Sequence, residues 1–235
     1  MSDTWKSSGQ KAVYNIVDPL IRFFIKVGIT PNMITSIGFV INLAVTIVFI
    51  IGAEYGERDD HQYVLWAGLL ILFAGLMDML DGRLARVGQM ANKFGALYDS
   101  VLDRYSELFM FLGICYYLVS HDYFLSSIFT FLAMIGSIMV SYTRARAEGL
   151  GVTASVGLMQ RPERILLLGI SAIISGSASF LYNDFKIEVE GLPIPIFETI
   201  SFFTFPIFLL AILANITAIR RLLYAKEVLN REEES

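Results

Sequence analysis

The chain has 235 residues, of which 55% are hydrophobic and 17% charged, with a net charge of −4. An ordinary soluble domain carries about 25% charged residues. Together with a mean hydropathy of +0.61, this excludes the soluble class and leaves an integral membrane protein. The one cysteine, Cys115, excludes an intrachain disulfide and any cysteine-held metal cluster. His61 and His121 fall in expected solvated loops and cannot build a histidine-rich site. Nothing in the composition asks for nucleic acid as a partner.

Residues 1–10 are polar, so no cleavable signal peptide is expected. In Val13–Val27, apolar Val13, Ile16, Val17, Leu20, Ile21, Phe24 and Ile25 recur near helical spacing, beside Lys11, Arg22 and Lys26. The segment is too short and too charged to span. It reads as an amphipathic helix in the headgroup layer, or else as a cap packed on the membrane domain. Gly28 should end it, and Pro31 restricts helix just before the first span.

Six stretches near the ~20 residues that a bilayer core requires then follow. They are Met33–Ile51, Tyr63–Leu84, Phe94–Val119, Tyr123–Arg144, Ile165–Leu181 and Ile194–Arg220. Apolar residues run around every face, as lipid burial demands. The expected fold class is an all-α integral membrane protein, six transmembrane helices with an N-terminal amphipathic interfacial helix. No repeat or long linker divides it. The expected domains are a cytoplasmic N-terminus (1–30), one compact membrane bundle (31–223) and a cytoplasmic tail (224–235), which frays at Arg231–Ser235.

Orientation follows from the basic residues. One side would hold Lys6, Lys11, Arg22, Lys26, Arg83, Arg86, Lys93, Arg104, Arg144, Arg146, Arg161, Arg164, Arg220, Arg221, Lys226 and Arg231; the other keeps only Arg58 and Lys186. Both termini are therefore expected in the cytoplasm of a cell-membrane protein.

One run carries chemistry. Asp78 and Asp81 are three residues apart at the end of the second span, so they share a helix face. Asp99 and Asp103 share a face at the start of the third. A turn near Val87–Asn92 should bring the two pairs together. Each carboxylate in a spanning helix costs roughly 2.5–3.5 kcal/mol on the insertion scale, so each implies a function. Four converging carboxylates cannot all remain ionised without cations. Oxygen donors without His or Cys favour Mg²⁺ or Mn²⁺, and such ions suit a diphosphate. Gly82, Ala85 and Gly95 leave room for close helix packing or for a bulky ligand.

The full spacing, D-x₂-D-G-x₂-A-R-x₈-G-x₃-D-x₃-D, runs from Asp78 to Asp103. It resembles the signature of the CDP-alcohol phosphotransferase family at every fixed position. The resemblance implies displacement of CMP from a CDP-linked lipid, CDP-diacylglycerol, by an alcohol hydroxyl, with two divalent ions, in a homodimer. On the family pattern Asp78, Asp81, Asp99 and Asp103 are metal ligands, with Asp103 also the general base. Asn32, Met33, Ile34, Thr35, Asp78, Gly82, Ala85, Arg86 and Asn92 border the CDP-lipid.

Ser141–Glu148 and Arg161–Arg164 resemble bacterial phosphatidylinositol-phosphate synthases and their archaeal relatives. By that resemblance Arg144, Arg164 and Arg221 bind the acceptor phosphate, and the acceptor is inositol phosphate. On composition alone these arginines read as positive-inside anchors. Arg146 reads as structural, paired with Glu148 or Glu163. Glu107 is either a supporting partner of the site or an intrahelical partner of Arg104. Glycerol 3-phosphate, free inositol and serine remain alternative acceptors. Intramembrane acids also mark ion-coupled transporters, but these place their acids near the midplane, often within inverted repeats.

Overall fold

The computed structural model describes residues 17–154, 156–182, 185–187, 195 and 197–233. Helix α1 covers 17–27; the expected segment's residues 13–16 lie outside the described ones. It ends at Gly28, whose φ of +80° is one that only glycine adopts without steric cost. Ile29 N then donates to Phe24 O at 3.0 Å. Pro31 opens α2 (Pro31–Tyr55) at the first helical position, where a missing N–H costs nothing. Thr30 caps that helix, its Oγ1 accepting from Met33 N at 3.4 Å.

Helices α3 (Gln62–Val87), α4 (Lys93–Ser120), α5 (Phe124–Glu148), α6 (Arg161–Tyr182) and α7 (Ser201–Glu233) follow. Among the described residues, five helices, α2, α3, α5, α6 and α7, are long and apolar enough to cross a membrane. Helix α4 is 28 residues long, but its first fifteen residues carry Lys93, Asp99, Asp103, Arg104 and Glu107. Large apolar side chains lie exposed along these helices, among them Val40, Trp66, Leu112, Phe131, Leu166 and Ile219. A water-soluble surface would not tolerate so many. The chain is an all-helical, multi-pass integral membrane protein.

The largest departures from the expected boundaries are at the two ends of the last helix. Ahead of α7, Phe197–Glu198 (β2) pairs antiparallel with Lys186–Ile187 (β1), so the helix starts at Ser201 rather than Ile194. It then continues to Glu233, past Arg220, because no glycine or proline follows Pro206 to stop it.

Contacts divide the chain into two compact units, Met1–Ile41 with Phe73–Tyr105, and Asn42–Leu72 with Ser106–Ser235. In the first, Val17 and Ile21 of α1 pack with Ile34, Leu80 and Leu84. In the second, the core gathers Phe49, Phe111, Tyr117 and Phe203. Its helices approach closely at small residues. A Cβ on Gly136 would lie 2.7 Å from Asn215 Nδ2, and one on Gly68 would lie 2.8 Å from Ala172 Cβ.

The loops of the second unit correct the reading of the histidines. His61 is fully buried and His121 nearly so; the His121 ring stacks 4.4 Å from Tyr117, and its Nδ1 lies 2.9 Å from Tyr117 O. Nearby, Arg58 sits 4.6 Å over the Tyr123 ring and pairs with Glu198 at 3.3 Å. Tyr123 donates to the same carboxylate at 3.0 Å. Burial is the main cause that pushes the Tyr123 phenol above its usual range. Arg58, Tyr123 and Glu198 thus form a polar network between segments far apart in the chain, which short polar stretches of sequence do not announce.

Candidate active site

In the first unit, α3 ends as Gly88 N and Met90 N donate to Leu84 O and Ala85 O at 2.8 and 3.0 Å. Gln89 takes a φ of 53° in this turn. Asn92 restarts the chain as the cap of α4, its Oδ1 accepting from Gly95 N at 2.8 Å. Such a cap satisfies an orphan donor of the first turn. The five residues between Val87 and Lys93 therefore fold α4 back beside α3.

Asp78, Asp99 and Asp103 meet there: each offers a carboxylate oxygen, and these oxygens lie within 4.8 Å of one another. Asp81 stands outside this group. It is 5% exposed and accepts a 2.7 Å hydrogen bond from Thr35 Oγ1 of α2. A recess of about 130 Å³ adjoins it, lined by Asn32, Thr35, Asp81, Gly82, Asn92 and Asp99 among others. Asp99 belongs to both the cluster and the recess, so the two are contiguous. Three carboxylates at this separation fit a hard divalent cation, which takes oxygen ligands.

Of the residues expected around a CDP-lipid, Asn32, Thr35, Gly82, Ala85 and Asn92 line the recess. Met33 is exposed, and Ile34 is buried in the core with Leu80 and Leu84. Asp78 lies in the acidic cluster rather than in the lining. Arg86 reaches back over Gly82, where a Cβ would sit 3.6 Å from Arg86 Nη1. A Cβ on Gly95 would lie 3.2 Å from Asn32 Oδ1, so a side chain there would press on Asn32. Sequence reading missed the two bonds that fix the start of α2. One is Thr35 to Asp81; the other joins Ser36 Oγ and Tyr98 Oη at 2.9 Å. Neither spacing, 46 or 62 residues, leaves a local signal.

In the second unit, the three expected acceptor arginines come from α5, α6 and α7. Arg144 and Arg164 are near enough to act on Arg221 electrostatically. Arg164 is 1% exposed and gives a two-pronged bond to Glu107, Nε to Oε1 at 2.7 Å and Nη2 to Oε2 at 3.0 Å. It also donates to Met159 O at 2.8 Å. Arg221 is held by Val156 O and Val140 O at 2.8 and 2.7 Å. Arg144 is half-exposed and pairs with Glu148 at 2.8 Å. Glu107 is thus the partner of Arg164, and Glu148 that of Arg144 rather than of Arg146. Glu163 caps α6 by accepting from Gln160 N at 3.0 Å.

An acidic cluster on a helical hairpin, beside a recess, is an arrangement that suits metal-assisted phosphoryl transfer. A model of the CDP-alcohol phosphatidyltransferase family matches residues 28–225, and the chain belongs to that family. It is therefore a membrane transferase, which removes the transporter reading. The archaetidylinositol phosphate synthase of Pyrococcus horikoshii is 36% identical over 202 residues, 85% of this chain and 85% of that protein. The crystal structure of Mycobacterium tuberculosis phosphatidylinositol phosphate synthase with CDP-DAG bound matches with a TM-score of 0.71 at 25% identity, covering 90% of this chain and 94% of that one. A second crystal structure of that enzyme, in complex with manganese and citrate, gives 0.70 at 27% identity, covering 88% and 87%. A manganese-binding relative and the acidic cluster here together fit dependence on a divalent metal.

Proposed function

We propose that this enzyme transfers the phosphatidyl group of CDP-diacylglycerol to a hydroxyl of inositol phosphate, releasing CMP and giving phosphatidylinositol phosphate. The observation that carries the reaction type is the trio of carboxylates within 4.8 Å contiguous with the Asn32–Asp99 recess. The acceptor reading rests on the arginines of α5, α6 and α7, and on relatives named for inositol phosphate products.

Asp78, Asp81, Asp99 and Asp103 would hold two divalent ions, Mg²⁺ or Mn²⁺. Such ions neutralise a diphosphate and the charge that develops in phosphoryl transfer. Asp103 takes the proton of the attacking hydroxyl as general base. Asn32–Thr35, Gly82, Ala85, Arg86 and Asn92 receive the CDP part. Arg144, Arg164 and Arg221 bind the acceptor phosphate, with Arg164 and Arg221 already fixed by buried bonds. No covalent enzyme intermediate is required, and CMP leaves directly.

In the same reading the chain has six spans, α2 to α7, because the charges that lower the hydropathy of α4 belong to the site. Helix α1 lies in the headgroup layer, its exposed Leu20, Phe23 and Val27 toward lipid and Arg22 and Lys26 toward water. The organisation is then 1–30, 31–223 and 224–235, with both termini and the active site cytoplasmic. The functional species is a homodimer.

The test is CMP release by purified protein with CDP-diacylglycerol and Mg²⁺, with inositol 1-phosphate, free inositol, glycerol 3-phosphate and serine in parallel. Release with inositol 1-phosphate alone is expected. Release with another acceptor instead would sink the reading of the arginines and leave the donor chemistry standing.

A further inference from the structure

One ion pair of the first unit lies outside every role assigned above. Arg83, between Gly82 of the recess and Leu84 of the core, turns away from the recess and grips Asp18 of α1. Its Nε donates to Asp18 Oδ1 and its Nη2 to Asp18 Oδ2, each at 2.9 Å. The pair is largely shielded, at 22% and 30% side-chain exposure, and a two-pronged guanidinium–carboxylate bond fixes direction as well as distance. On the same face of α1, Val17 and Ile21 are packed with Leu80 and Leu84 of α3. Helix α1 is therefore fastened to the last turns of α3 by one polar clamp and one apolar seam.

What this fastening controls is the beginning of α2. Only Gly28, Ile29 and Thr30 separate α1 from Pro31. That link is tight, with Ile29 N bonded to Phe24 O and Met33 N to Thr30 Oγ1. Pro31, Asn32 and Thr35 form one wall of the recess, and Asp81, Gly82 and Ala85 form another. The first wall hangs from α1; the second is the helix that α1 grips. The clamp also separates Arg83 from Arg86, the arginine of the motif: Arg83 pairs with Asp18, while Arg86 lies over Gly82.

We propose that Asp18 and Arg83 are a positioning pair for the donor site, holding the Asn32–Thr35 wall at the right separation from Gly82–Ala85. Neither residue touches the donor. The inference rests on the recess being the CDP-lipid site but not on the identity of the acceptor.

The experiment measures binding and turnover separately on full-length protein in detergent. Binding is followed as the rise in melting midpoint with CDP-diacylglycerol and Mg²⁺, and turnover as CMP release over a range of both substrates. The variants are Asp18→Asn, Arg83→Gln and the swapped pair Asp18→Arg with Arg83→Asp. Couplings carried through packed networks suggest an effect of roughly threefold to thirtyfold. Each single variant should therefore raise the donor KM and weaken donor binding by about that factor, leaving the acceptor KM unchanged. The swapped pair should recover most of the loss. Equal donor binding in wild type and single variants would overturn the positioning role, as would a loss of kcat without any change in donor KM. If a single variant is too unstable to assay, the swapped pair decides: wild-type donor KM supports the clamp, and an uncorrected donor KM overturns it. Failure of the wild type itself to bind CDP-diacylglycerol would instead refute the reading of the recess.

Discussion

The two charged clusters of this protein are built in opposite ways. The carboxylates come from two helices joined by five residues, and three of the four converge with their oxygens within 4.8 Å. The arginines come from three helices, and each is already engaged: Arg164 by Glu107, Arg221 by backbone carbonyls, Arg144 by Glu148. Like charges brought together by a local hairpin present several oxygen donors to one point, an arrangement that suits a hard divalent cation. Like charges brought together by tertiary packing have been given internal partners, because a buried cation without one is strongly destabilising. The first cluster is poised to recruit; the second is poised to hold its shape.

Five substitutions would break or sharpen that contrast. The largest effect is expected in the acidic cluster. Asp103→Asn should lower kcat by roughly 10²- to 10⁴-fold, the usual weight of a general base, while CDP-diacylglycerol with Mg²⁺ still raises the melting midpoint. Asp78→Asn should lose that Mg²⁺-dependent shift as well. Normal CMP release by Asp103→Asn would end its assignment as base.

Next comes Arg164→Ala, which strands Glu107 as a buried unpaired charge and should cost about 3–5 kcal/mol of stability. Because it removes a structural pair, a kinetic change in this variant says little about the acceptor unless stability is measured beside it. A melting midpoint equal to that of the wild type would show that the Glu107–Arg164 bond carries no stability.

Arg144→Ala gives the cleaner probe of acceptor binding, since its present partner is only a half-exposed i,i+4 carboxylate. Loss of a charge-assisted hydrogen bond of about 1.5–3 kcal/mol predicts an acceptor KM at least roughly tenfold higher with the donor KM unchanged. Parallel rises in both KM values would argue against a dedicated phosphate site.

The smallest effect is predicted for Thr35→Val, which keeps the shape but removes the donor to Asp81 Oδ2. A net loss of about 1 kcal/mol should appear as a roughly fivefold higher donor KM in steady-state CMP release. No change would mean that Asp81 is oriented without Thr35.

Much of this was legible in the sequence for a physical reason. Helical periodicity turns the spacings Asp78–Asp81 and Asp99–Asp103 into shared faces, and a short turn leaves an antiparallel hairpin little choice; it does not show that Asp81 turns to Thr35 instead of joining the other three. The end of α1 was legible too, since Gly28 is where only a glycine takes that backbone conformation easily. The fates of single polar side chains were not. Glu107 was left between an intrahelical and a tertiary partner, because both were sterically open along α4. His61 and His121 were read as solvated, because a loop's burial depends on what packs over it, and that comes from elsewhere in the chain.

By itself, then, the sequence determined the solvent, the helices and the placing of the acidic residues on one hairpin. All of these depend on hydropathy or on spacings within one or two turns of helix. Only the tertiary structure decided that Asp81 answers to Thr35, that Arg83 answers to Asp18, that Arg164 answers to Glu107, and that Ile34 is core. Those pairings join residues tens of positions apart. Their energies exist only once packing has brought the partners together and excluded the solvent that would otherwise compete for them.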